Sequence, residues 1–274
     1  MKSNESVGEL FELCMLGGSV ERRFRRMRPE IERLPWGTLN PAAHSPELVI
    51  EARKSWTHAA YQEHRTGAAC AETLRALIAA RAPVDLIGVA TRFPLDEMVH
   101  VEMCARLAEE LGGGTHVEHD PRDLIPVPSL DLPPLLRATE CVVQYFCVGE
   151  ALSIPLLRGT WRAAKHPLIK GVLGRIVRDE ALHGTFGFTF LGWVNDELGD
   201  ADRKHLALSA ARVVQSIRAS WDNIPDVSGY ESAELHALGW MDSHDYLALA
   251  KRSLEKRVIK PLAKFGIFVN EVAN

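Results

Sequence analysis

The chain has 274 residues, 46% of them hydrophobic and 25% charged, which excludes a disordered or fibrous polymer. Its 32 Lys and Arg against 36 Asp and Glu give a formal net charge of -4. That balance excludes a protein built mainly to grip nucleic acid, because phosphates demand clustered positive charge.

Residues 5–33 read as one or two helices interrupted at Gly17-Gly18. They carry a basic cluster of Arg22, Arg23, Arg25, Arg26 and Arg28, a solvated helix face or a dock for an acidic carrier protein or electron donor. Residues 1–9 are polar and acidic, without the apolar core of a leader peptide. A loop over 35–46 leads into four long helical segments. The first covers 46–81 and stops before Pro83; the second covers 84–111 and stops at Gly112-Gly113-Gly114. A connection over 115–134 carries five prolines. The third segment covers 135–164 and breaks at Lys165-His166-Pro167; the fourth ends near Gly199. Two more helices follow over 201–223 and 232–265. Strand signals are scarce, and no run of about 18 uncharged apolar residues predicts a membrane span. Cys14, Cys70, Cys104, Cys141 and Cys147 show no metal spacing and read as reduced thiols of a cytoplasmic protein.

The expected fold is therefore all-α. Short turns make two antiparallel hairpins, and one long crossover joins them into a four-helix bundle. The chain reads as one domain over 1–274. Its core is 46–199, with an N-terminal helical extension over 1–45 and C-terminal helices over 200–274.

The third segment holds an anomaly. From Cys141 to Leu157 it is apolar nearly all round, yet Glu150 sits in its middle. A buried carboxylate must be protonated, paired or bound to a metal. The second segment contains Asp96-Glu97-Met98-Val99-His100, and the fourth contains Asp179-Glu180-Ala181-Leu182-His183. In each D-E-x-x-H string the i, i+3 spacing sets glutamate and histidine on one helix face, where both can bind one ion. One such string arises by chance on a charged helix. Two, each inside a mostly apolar helix, are a specific signal.

Hairpin geometry tests the set, because residues at one height are equidistant from the turn. Glu150 and Glu180 have their midpoint at residue 165, in the predicted turn. Glu63 and Glu97 have theirs at residue 80, beside the first turn, whereas Glu72 and Glu51 place it inside a helix. The candidate ligands are Glu63, Glu97, His100, Glu150, Glu180 and His183. Their four carboxylates balance two divalent cations. Asp96 and Asp179 are expected to orient the ligating histidines by accepting from the far ring nitrogen, each serving the opposite motif.

On these residues the chain resembles the ferritin-like diiron-carboxylate superfamily over 46–199. The leading Asp96 and Asp179 resemble the strings of bacterial multicomponent monooxygenases and related oxidases. The resemblance implies a ferritin-like bundle, two Fe ions (or Mn/Fe or Mn/Mn), O2 as co-substrate, and oxygenase or oxidase chemistry on a small organic substrate in specialised metabolism. It also allows an external electron donor and a homodimer through the extra helices. It implies no nucleic acid and no membrane. Manganese catalase-like peroxide dismutation and ferritin-like metal storage are the alternatives.

The sequence departs from several members. Cys104 stands where radical-forming reductase subunits place a tyrosine. Ile154 stands where several monooxygenases place a threonine, and Ile176 where arylamine N-oxygenases place a third histidine. Val99, Phe146, Cys147, Ile154, Phe186 and Phe188 are expected near the ligands as apolar lining or ordinary core. Gly184 and Gly187 follow His183, leaving either space beside the metals or close helix packing. Pro94 either kinks the second segment or marks a break between two helices.

Overall fold

The computed structural model describes residues 9–120, 131–224, 227 and 229–269. The architecture is all-α. In chain order it has β1 (Glu9–Leu10), α1 (Gly18–Arg26), α2 (Pro46–Ala79), α3 (Val84–Ala90), α4 (Phe93–Glu110), β2 (Glu118–His119) and α5 (Pro134–Cys141). A π-helical stretch, Val142–Glu150, continues directly into α6 (Ala151–Ala163). Then come α7 (Pro167–Val194), α8 (Asp200–Ser220), α9 (Ser232–Leu238), α10 (Ser243–Ser253), a second π stretch (Leu254–Ile259) and α11 (Lys260–Ala263).

Prolines open the long elements. Pro46, Pro94, Pro134 and Pro167 each lie in a first turn, where a fixed helical φ helps and the missing N–H has no partner to lose. Pro94 therefore starts a helix rather than kinking one. The stretch expected as a single helix over 84–111 is α3 plus α4.

Two other expectations are corrected. Residues 9–17 are not helical. Glu9 and Leu10 pair antiparallel with His119 and Glu118, and Phe11 N–H donates to the Val117 carbonyl at 2.9 Å. Helix begins only at Gly18, where Gly17 and Gly18 have φ of 78° and 60°. The stretch over 232–265 is also broken. Gly239 ends α9 at φ 95°, a left-handed conformation suited to glycine, and Asp242 caps α10 by accepting from His244 N–H at 2.9 Å. The leader-peptide reading of residues 1–8 and the middle of the proline-rich connection, 121–130, lie outside the described residues.

Helix α2 packs along α4, the continuous helix from α5 to α6 packs along α7, and α4 meets α7. Helices α8 and α10 cover the outside of the second pair. Pro134–Ala163 is long and apolar enough to cross a membrane, in contrast to the sequence expectation, but 61% of its most apolar window is buried within the protein. It is a core helix by packing.

The apolar interior forms two clusters. One gathers Leu77, Phe93, Val143, Phe146, Phe186, Phe190 and Val258; the other gathers Leu48, Trp56, Met103, Leu107, Leu168 and Ile176. Along α2, α4 and α7 the two clusters occupy opposite ends. The polar residues singled out above lie at the boundary. The described cysteines are all free, and only Cys14 is exposed.

Candidate metal centre

Each candidate ligand comes from a different height in the sequence and arrives at one layer. Helix α2 presents Glu63, α4 presents Glu97 and His100, the π stretch ends on Glu150, and α7 presents Glu180 and His183. A π stretch places one extra residue in a turn and is frequent where side chains must be re-aimed at a site.

Two overlapping groups result. Glu63, Glu97, His100 and Glu180 each bring one donor atom within 4.8 Å of the others. Glu97, Glu150, Glu180 and His183 do the same. Glu97 and Glu180 belong to both groups, and each carboxylate points one oxygen at each histidine. Glu97 Oε2 is 3.6 Å from His100 Nδ1 and its Oε1 is 3.0 Å from His183 Nδ1. Glu180 Oε1 is 3.3 Å from His100 Nδ1 and its Oε2 is 3.2 Å from His183 Nδ1. Glu63 Oε2 lies 3.5 Å from His100 Nδ1. Glu150 belongs to the second group alone and accepts from the Ser153 hydroxyl at 3.2 Å.

The donor set fits a pair of cations. Both oxygens of Glu97, one of Glu180, the Nδ1 atoms of both histidines and the Nε2 of His183 are buried without a hydrogen-bond partner. Such orphans are costly unless an ion or proton satisfies them. In the metal-free protein, protons held by Glu63, Glu150, His100 and His183 offset part of that cost. Burial, with Glu180 and Glu97 beside it, pushes the Glu150 carboxyl well above its usual range. Burial likewise raises Glu63 to about 8. Burial opposes charge on both imidazoles, yet the surrounding carboxylates outweigh it: His100 lies well above its ordinary value and His183 at about 12. Burial also works against the Glu180 carboxylate, but His100 and His183 hold it well below the usual carboxylate range.

The far ring nitrogens face aspartates of the opposite motif. His100 Nε2 is 3.3 Å from Asp179 Oδ2, and His183 Nε2 is 3.7 Å from Asp96 Oδ2. The aspartates are in turn held by arginines. Arg28 donates to Asp96, Arg175 Nη2 lies 2.8 Å from Asp179 Oδ1, and Arg92 reaches both. Burial would raise Asp96, but His183 and Arg28 bring it down to about 2.

Arg92 and Arg175 escaped the sequence reading. Their signal is present, since Arg92 to His100 and Arg175 to His183 both read R-x-x-x-D-E-x-x-H. Two arginines of the basic cluster are engaged within the chain. Arg28 meets Asp96, and Arg25 binds Glu21, Glu32 and Glu102, so this part of the chain folds onto α4. Arg22, Arg23 and Arg26 remain exposed.

Of the expected lining residues, Phe146 and Phe186 pack with Phe93, at 5.2 Å and 5.1 Å between its ring centroid and theirs. Phe93, also missed from sequence, lies 4.3 Å from the His183 ring. Phe188 instead stacks on Phe265, and Val99 is a member of the second apolar cluster. The two glycines serve close packing rather than open space. A Cβ on Gly184 would meet Ile154 Cδ1 at 2.1 Å. One on Gly187 would meet the Cys147 backbone nitrogen at 2.9 Å. Glu72 belongs to neither group and pairs with Arg75 at 2.7 Å, and Glu51 pairs with Lys54.

No family model, curated protein or solved structure matches the chain.

Proposed function

We propose that this layer is a two-metal carboxylate centre of a ferritin-like bundle, and that the protein is an O2-dependent oxidoreductase acting on a small organic substrate. The observation that carries the reading is the sharing of Glu97 and Glu180 between the two groups, one oxygen toward each histidine. Glu97 and Glu180 would be held in common by two ions, with Glu63 and His100 serving the first group and Glu150 and His183 the second. Two bound Fe(II) ions would supply electrons for O2 reduction and, with an external donor completing the electron count, the oxidising power for the substrate.

The chain's own residues do the rest. Asp179, hydrogen-bonded to His100 Nε2 at 3.3 Å, and Asp96, facing His183 Nε2 at 3.7 Å, favour the tautomer that leaves each Nδ1 free to bind an ion. Phe93, Phe146 and Phe186 exclude water from the His183 side. Glu63 is the ligand with the most exposed side chain, at 17%, so the first group is the one solvent reaches.

The test is metal content per chain after production with iron and manganese both supplied, followed by absorption after anaerobic Fe(II) loading and O2 exposure. The expected result is two irons per chain, O2 uptake and a visible band on oxidation. Two manganese ions with rapid peroxide breakdown would replace the oxygenase reading by dismutation. Many irons per assembly would replace it by storage, and no bound metal would overturn it.

A further inference from the structure

Three arginines surround the aspartates, and their contacts are unequal. Arg92 Nε donates to Asp96 Oδ2 at 2.8 Å, and its Nη2 donates to Asp179 Oδ1 at 3.2 Å. Of the two aspartates, Arg28 holds Asp96 alone and Arg175 holds Asp179 alone. Both aspartate side chains are 1% exposed, whereas that of Arg92 is 48% exposed. One half-exposed side chain thus closes a link between two buried arms. One arm runs from Asp96 to His183, the other from Asp179 to His100.

We propose that Arg92 is a positioning residue that couples the two ion positions. The inference rests on the reading of the layer as a two-ion centre. A guanidinium is planar, and its donors keep fixed angles to one another. With one donor on each aspartate, Arg92 fixes the orientation of both carboxylates together. Asp96 orients His183, the imidazole of the second group; Asp179 orients His100, the imidazole of the first. Displacing Arg92 therefore loosens both imidazoles at once. Displacing Arg28 loosens His183 alone, and displacing Arg175 loosens His100 alone. Arg175 also binds Glu30 at 2.7 Å and Arg28 follows α1, so the N-terminal segment contributes to the setting of each arm.

The pattern of effects on the two ions carries the test. Metal-free protein is titrated with Co(II) alone, followed by its visible ligand-field absorption and by calorimetry, with apo melting temperature as the check on folding. Wild type is expected to take up two Co(II) per chain. In Arg92→Ala both binding steps weaken, by about 10–100-fold each, the range for losing such a supporting contact. In Arg28→Ala and Arg175→Ala one step weakens, and the two variants affect different steps. Arg92→Lys places a single ammonium that reaches one aspartate, so it restores one step and leaves the other weak. A purely structural arginine would lower the melting temperature without this division. If wild type binds two ions and Arg92→Ala leaves either step at its wild-type affinity, the coupling is wrong and the two-ion reading stands. If wild type takes up no Co(II), the two-ion reading itself fails.

Discussion

Glu150 and Glu72 are both glutamates on long helices, and their partners differ. Glu150 ends the π stretch against Glu97, Glu180 and His183, while Glu72 is paired with Arg75 and belongs to neither group. Glu150→Ala or His183→Ala is expected to reduce metal to one ion or fewer per chain by elemental analysis and to abolish O2 uptake. Glu72→Ala is expected to leave both ions in place, since its carboxylate is paired with Arg75 and belongs to neither group. The same site predicts a pH dependence. In the metal-free protein His100 and His183 hold their protons, with His183 at about 12, and Glu63 releases its own only near 8. An incoming ion must displace them, so metal uptake releases protons and affinity rises as pH rises toward 8. Calorimetric titration in two buffers of different ionisation enthalpy measures that release; a buffer-independent heat would contradict it. All six candidate ligands and both aspartates were legible in sequence, because i, i+3 spacing and equal height in a hairpin are properties of chain number alone. Phe93 and the bridge made by Arg92 were not, because they depend on which side chain faces which across a contact.

The elements show why the helices sit close enough to bring these residues together. Gly187 faces the π stretch, where a Cβ would lie 2.9 Å from the Cys147 nitrogen and 3.0 Å from the Phe146 carbonyl carbon. Backbone cannot yield as a side chain does. Gly187→Ala is therefore expected to destabilise the protein by about 1–3 kcal/mol, as overpacking does. Gly192→Ala on the same helix meets nothing within 4 Å and is expected to stabilise by up to about 1 kcal/mol through helix propensity. Thermal melting of the two variants gives opposite signs if the packing is as described. At this scale the long segments were legible from apolar period and from proline and glycine stops. Three features were not settled by those signals. The strand at Glu9–Leu10 forms only because Glu118–His119 lies alongside it. The break before Pro94 is fixed by the turn that carries α3. The π register over 142–150 leaves the apolar pattern of that helix unchanged.

At the scale of the molecule, four carboxylates and two imidazoles cross the interior as one polar layer. Holding that layer without metal costs protons and repulsion; holding it with metal does not. Saturating metal is expected to raise the melting temperature by roughly 8–16 °C, taking about 4 kcal/mol at a thousandfold excess over Kd and ~2–4 °C per kcal/mol. Calorimetric scans with and without chelator measure the shift, and equal melting temperatures would contradict it. The pairing of α2 with α4, and of the helix ending in α6 with α7, was legible in the short turns between them. The division of the core was not, because it requires knowing which ends of the helices meet.

That division bears on how the molecule opens. With an ionic layer between them along α2, α4 and α7, the cluster around Phe146 and the cluster around Met103 are expected to open as two separate cooperative units. In metal-free protein, backbone amides of the two units are expected to exchange with solvent deuterium at two distinct free energies. Two ions bound across the layer would lock the units into one, and the two exchange classes would merge.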